Sequence, residues 1–140
     1  MTDPARLPED LERFRETYSE LFGELPPLAA AKFAFAAPVD PEAVRLSERL
    51  RAHAFESAVL DRRTTHLLLF GMLLALGVDG APRYHAAVAR REGASWPELL
   101  KVAELASAVL SLGPLNRAAA TLSDLERTER NPSIVPTDVP

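Results

Sequence analysis

An all-α fold is the expectation for this chain, and three observations carry it. No stretch alternates apolar and polar residues with the period of two that a half-buried strand requires. Alanine and leucine dominate the composition, and both are strong helix formers. Asp, Ser, Pro and Gly fall where they cut the chain into helix-length segments. The short connections between those segments favour antiparallel neighbours in a helical bundle. No internal repeat is discernible.

The elements follow in order. A first helix is expected over Glu9 to Phe22, where Leu11, Phe14, Tyr18, Leu21 and Phe22 form one apolar stripe and Gly23 suits the C′ position. Pro26-Pro27 forces a break, and a short apolar helix runs from Pro27 to Phe35. Asp40 can cap the next helix, Pro41 suits its N1 position, and Glu42 meets the positive end of the helix dipole. That helix is expected to end near Phe55. Asp61 caps another, which runs to Leu76 with Gly77 behind it. Its second half is apolar on all sides, which predicts a central buried helix. Asp79 and Pro82 mark a short helix that passes through His85 and stops at Gly93. Ser95-Trp96-Pro97-Glu98 reads as a capping box. Leu99, Val102, Ala103, Ala106, Val109 and Leu110 then make a core stripe. Gly113-Pro114 is expected to break this helix, and a last one to reach about Glu129. The tail NPSIVPTDVP holds three prolines and reads as loose or docked on a neighbour.

Bulk properties bound the function. At 140 residues the chain suits one domain, and 47% apolar with 26% charged residues is a globular composition. A net charge of −4 argues against a nucleic-acid partner, which would call for a concentrated basic face. There is no cysteine, so thiolate nucleophiles and disulfides are excluded. The N-terminus has no apolar segment of the secretory type. The longest apolar run, Leu67 to Leu76, is far short of the roughly 20 residues of a membrane span. A cytoplasmic protein with no membrane partner is the expectation.

The residues able to carry chemistry lie in the second half. His66 and His85 stand 19 residues apart in successive helical segments. His53 is the third histidine, and no two stand three or four apart, so no helical metal pair exists and no metal site is expected. Taken alone, His66 reads as a histidine at the rim of a core or as a proton carrier that titrates near neutrality. His85 sits about one turn inside its helix, where the positive helix end favours the neutral ring. It reads equally as a buried structural histidine. In a plain hairpin His66 lies roughly 15 Å from the turn and His85 only one turn from it, so hairpin geometry alone does not bring them together. Arg62, Arg83 and Tyr84 are candidate substrate-binding residues, because arginine can hold a carboxylate with two parallel hydrogen bonds. Arg63 joins them, the plainer reading of all four is an ordinary surface or interface role, and Trp96 and Met72 read as core or subunit-contact residues. Ser107 and Ser111 lie in an apolar helix and read as packing residues. No phosphate loop or nucleophile elbow is present.

Leu60-Asp61, Thr64 and the apolar run after it, His85, Ala89, Gly93-Ala94-Ser95, Glu98-Leu99 and Gly113-Pro114 form a pattern. With these residues the chain resembles the carboxymuconolactone decarboxylase family, which includes the AhpD-like alkylhydroperoxidases. The resemblance implies an AhpD-like bundle with a central helical hairpin. It divides the chain into an N-terminal helical extension (1–58), a family core (59–128) and a Pro-rich tail (129–140). It also implies a homo-oligomer, a trimer or hexamer, and a pocket on which His66 and His85 converge as catalytic residues. In the redox branch an acidic residue stands at the position of His66, and two cysteines at those of Val78 and Ala81. The spacing survives here without the redox groups, which disfavours a cysteine-dependent peroxidase. The resemblance then implies a decarboxylase-like or other proton-transfer enzyme for a small cyclic carboxylic acid or lactone, needing no cofactor. The alternative is a non-catalytic or repurposed member that binds a small molecule.

Overall fold

A computed structural model describes residues 7–131, and the predicted Pro-rich tail lies almost wholly outside them. Seven α-helices follow in order: α1 (Glu9–Phe22), α2 (Pro27–Ala31), α3 (Ala37–Val39), α4 (Pro41–Phe55), α5 (Arg62–Ala75), α6 (Ala81–Arg91) and α7 (Trp96–Arg130). A π-helical turn, Lys32–Ala36, joins α2 to α3 without a break. There is no strand among the described residues, and no helix there is long and apolar enough to cross a membrane.

The helices form two layers. In the first, α1 and α4 enclose a core of Leu11, Tyr18, Ala29, Phe33, Ala37 and Val44. Burial of a side chain as large as Phe33 or Leu11 stabilises the fold by about 1.5–3 kcal/mol. Arg45 on α4 grips Asp10 on α1 across this layer (Nη2 to Oδ1, 3.2 Å). In the second layer α5 packs on both α6 and α7, around Ala89, Ala94 and Leu99 with Leu67, Phe70 and Ala86. Gly71 lets α5 and α7 approach closely: a Cβ there would stand 2.7 Å from Val102 Cγ1. The C-terminal end of α1 leans on α6 and joins the layers.

The caps match their residues. Asp40 accepts from the Ala43 amide at 3.0 Å and Asp61 from the Thr64 amide at 2.7 Å. Ser95 and Glu98 form the reciprocal box, with the Ser95 amide donating to Glu98 at 2.8 Å. Arg63 grips the same glutamate and ties α5 to α7.

Three expectations are corrected. The helix predicted over Pro27 to Phe35 continues through the π turn to Val39, because Pro38 takes an early position in α3 and breaks nothing. Helix α6 starts where Asp79 and Pro82 mark it, with Gly80, at φ 77°, in the cap position. Gly113-Pro114 does not end a helix: α7 runs 35 residues and contains both. Gly113 is absent from the positive-φ glycines, so no left-handed turn reverses the chain, and the helix continues without the hydrogen bond that Pro114 cannot donate. The second half of α5 is not a buried centre, for α6 and α7 cover only part of its circumference. Leu68, Met72 and Leu76 are exposed, as are Trp96, Val109 and Leu110 of α7.

Candidate functional site

The two histidines meet. His66 Nδ1 lies 2.9 Å from His85 Nδ1, with the rings stacked at 27° and 5.1 Å between centroids. The turn after α5 overcomes the hairpin difficulty. Gly77, at φ 66°, closes a Schellman motif in which the Val78 amide reaches the Leu73 carbonyl (3.1 Å) and the Gly77 amide that of Leu74 (3.0 Å). The chain doubles back before α6 starts, so α6 lies against the N-terminal part of α5. At the other end Arg62 and Glu92 approach to 3.8 Å.

Both rings are buried and wrapped in aromatic edges. Phe22, at the end of α1, meets His85 edge to face at 5.4 Å and His66 at 6.5 Å. Phe55, at the end of α4, meets His85 at 5.9 Å. Burial pushes the His66 pKa down to about 4, assisted by the Arg62 guanidinium. Burial also takes His85 to about 4, with His66 adding to the effect. The expected near-neutral titration of His66 is therefore not what its surroundings give. His85 has the neutral ring anticipated for it, though burial is the main cause.

Two neutral imidazoles joined through their Nδ1 atoms cannot be alike. One must carry its proton on Nδ1 and donate, which leaves Nε2 as a base. The other accepts on Nδ1 and carries its proton on Nε2, where it is an acid. A single hydrogen bond thus builds an acid and a base from two identical side chains.

The pair separates two cavities. The first, about 660 Å³, is lined by His66 with Arg13, Arg51, Arg62, Phe55 and Leu60, among others. The second, about 690 Å³, is lined by His85 with Tyr18, Phe22, Lys32, Pro27 and Tyr84, among others. Both have the size of small-molecule sites. Behind them lies a buried charge cluster. Glu48, wholly buried, accepts from the Tyr18 hydroxyl at 2.9 Å and from Arg51 Nε at 2.8 Å, and it also pairs with Lys32. Burial opposes its charge, but the bonds from Lys32, Arg51 and Tyr18 outweigh it and hold the carboxyl below its ordinary range.

Of the candidate substrate-binding residues, Arg62 shares the first cavity with His66 and Tyr84 the second with His85. Arg83 is exposed and lines neither. Arg63 serves the α7 cap, and His53 is exposed on α4. No group of three His, Asp or Glu side chains able to hold a metal ion converges among the described residues. Sequence reasoning missed Arg51, Phe22 and Phe55, which come from the N-terminal helices. One signal was available: Val44, Glu48, Arg51 and Phe55 follow at spacings of four, three and four, so charged residues stand on the stripe that α4 turns inward.

No curated protein and no solved structure matches the chain. The model of the carboxymuconolactone decarboxylase family matches residues 41–124, from the start of α4 into the distal part of α7, and takes in both histidines. With well over half of its length so matched, the chain belongs to the carboxymuconolactone decarboxylase family.

Proposed function

We propose that this protein is a cofactor-free decarboxylase or proton-transfer enzyme for a small cyclic carboxylic acid or lactone. The observation that carries the reading is the 2.9 Å contact between His66 and His85, with each ring lining its own cavity. The substrate occupies the first cavity, where Arg62 is placed to meet a carboxylate. As carbon dioxide leaves, the C–C bond breaks and its electron pair moves onto the conjugated carbonyl. His66 then gives its Nε2 proton to carbon and takes the Nδ1 proton of His85. His85 in turn takes a proton at Nε2 from the second cavity. Both rings end neutral with their tautomers exchanged, so no charge is left in a buried site. His66 is the catalytic residue that touches substrate, and His85 relays to it.

The test is a panel of cyclic carboxylic acids and lactones incubated with the protein in D2O, followed by NMR for deuterium incorporation and loss of carboxylate. His66→Gln and His85→Gln should each lower turnover by about 10²–10⁴-fold, the usual contribution of acid–base catalysis, with circular dichroism unchanged. Turnover that survives His66→Gln sinks the mechanism. Saturable binding without turnover supports the second reading, a small-molecule-binding member. Peroxidase chemistry through a thiolate has no residue to run on, since the chain has no cysteine.

A cytoplasmic homo-oligomer, a trimer or hexamer, belongs to the same proposal. Its support is the apolar face that α7 leaves uncovered, where Leu105, Val109 and Leu112 share one side at spacings of four and three.

A further inference from the structure

We infer that Arg51 anchors a carboxylate-binding subsite in the first cavity, built by the N-terminal helices α1 and α4. The subsite deepens the reading of that cavity as the substrate chamber and rests on it only for the cavity's use in catalysis.

Arg51 differs from the other cations of the cavity. Arg13 is engaged by Glu16 and Glu20 on its own helix, and its side chain is exposed. Arg62 is exposed too, and meets Glu92 at 3.8 Å. Arg51 is only 14% exposed and is held from three sides. Its Nε donates to Glu48 at 2.8 Å and its Nη2 to Thr17 Oγ1 at 2.7 Å, while the guanidinium lies 4.2 Å from the centre of the Tyr18 ring. Those bonds use one edge of the fork. Nη1 has no protein acceptor among the described residues, yet no buried polar atom there lacks a partner. The unused donors therefore reach solvent in the cavity that Arg51 lines.

Charge points the same way. Glu48 is one carboxylate shared by two cations, Arg51 and Lys32. Burial works against the Lys32 ammonium, but the bonds to Glu48 and Tyr18 raise its pKa overall. Burial also raises the Tyr18 pKa and keeps the hydroxyl neutral. The cluster thus carries a net charge of +1 at neutral pH. Glu20 and Glu56 also line the cavity, but Glu20 is taken by Arg13. A pre-positioned guanidinium with free donors and a surplus positive charge suits a planar carboxylate. Phe14, Phe55 and Leu60 offer apolar wall for the ring that carries it. Because the fork is fixed before the ligand arrives, little side-chain entropy is lost on binding.

Benzoate is the probe, and its neutral isostere benzamide is the control, both titrated into the full chain by calorimetry. The wild type should bind benzoate at least about tenfold more tightly than benzamide, the discrimination expected of a charge-assisted pair. Arg51→Gln should remove that preference and leave benzamide binding unchanged. If Arg51→Gln fails to fold, E48Q/R51Q takes its place, because it removes the buried carboxylate together with its partner. Equal affinity for the two probes in the wild type, or an undiminished preference in the variant, overturns the subsite. Turnover does not enter this measurement. Failure of the acid–base mechanism would leave the subsite standing, and loss of the subsite would leave the histidine pair untouched.

Discussion

Acid should unfold this protein through its two histidines before its carboxylates matter. In the folded chain His66 and His85 stay neutral down to about pH 4, whereas the ordinary value is 6.5. Between those values the unfolded chain binds more protons than the folded one. The stabilisation is therefore complete above about pH 6.5 and is lost as pH falls towards 4. At about 1.36 kcal/mol per pH unit, one ring loses about 2.5 kcal/mol between pH 7 and pH 4.5. A first proton can be shared, for an imidazolium can still donate through Nδ1 to its neutral partner. A second would set two N–H groups against each other at the 2.9 Å contact. The pair should thus contribute a loss of about 2.5–5 kcal/mol, a large part of the 5–15 kcal/mol typical of a domain. Urea unfolding followed by circular dichroism at pH 7 and pH 4.5 measures it, at one protein concentration, with H66Q/H85Q as reference. Glu48, Asp61 and Glu98 have lowered pKa values. Their contributions fade mainly below pH 4.5 and are common to both proteins. Parallel stability curves for wild type and variant would refute the argument, since the rings would then titrate alike in both states.

Gly71→Ala should destabilise the fold despite the helix propensity it adds. The new methyl stands 2.7 Å from Val102 Cγ1, and a β-branched neighbour yields poorly. Overpacking of about 1–3 kcal/mol then exceeds the gain of about 1 kcal/mol. In a Val102→Ala background the same change should stabilise, and a urea double-mutant cycle in which its sign does not reverse would remove the explanation. Leu112→Glu should leave the single-chain fold within about 0.5 kcal/mol of wild type, because the side chain is 57% exposed. In sedimentation velocity it should reduce the mass to that of one chain, and a variant that stays assembled places the interface elsewhere.

Local chemistry was legible wherever a cap or turn is made by the residues beside it. Asp40, Asp61 and the Ser95–Glu98 box each stop or start a helix through bonds within three positions, so sequence alone suffices. What failed depended on neighbours. The apolar residues of α5 foretold burial because hydrophobicity says that a surface is to be covered, not by which chain. Pro114 foretold a break because its cost was counted without the helix on either side, where α7 has Leu and Ala in plenty and Gly113 supplies no reversal.

The site divides along the same line. Both histidines could be named, but the bond between them depends on a Schellman turn twelve residues from His66, and on two phenylalanines from separate helices. Phe22 and Phe55 make the desolvated enclosure that keeps the rings neutral. Without them the pair would be two ordinary imidazoles at the edge of a hairpin. Of the two helices that supply them, α4 lies within the family match, which begins at residue 41, and α1 precedes it. Both helices line the first cavity, and Glu48 of α4 holds Arg51 toward it and Lys32 toward the second. A charged residue on an inward stripe costs several kcal/mol unless it is paired. Glu48 and Arg51 on the buried face of α4 therefore announced a polar network in the sequence, even though its partners on α1 and the π turn could be found only once the chain had folded.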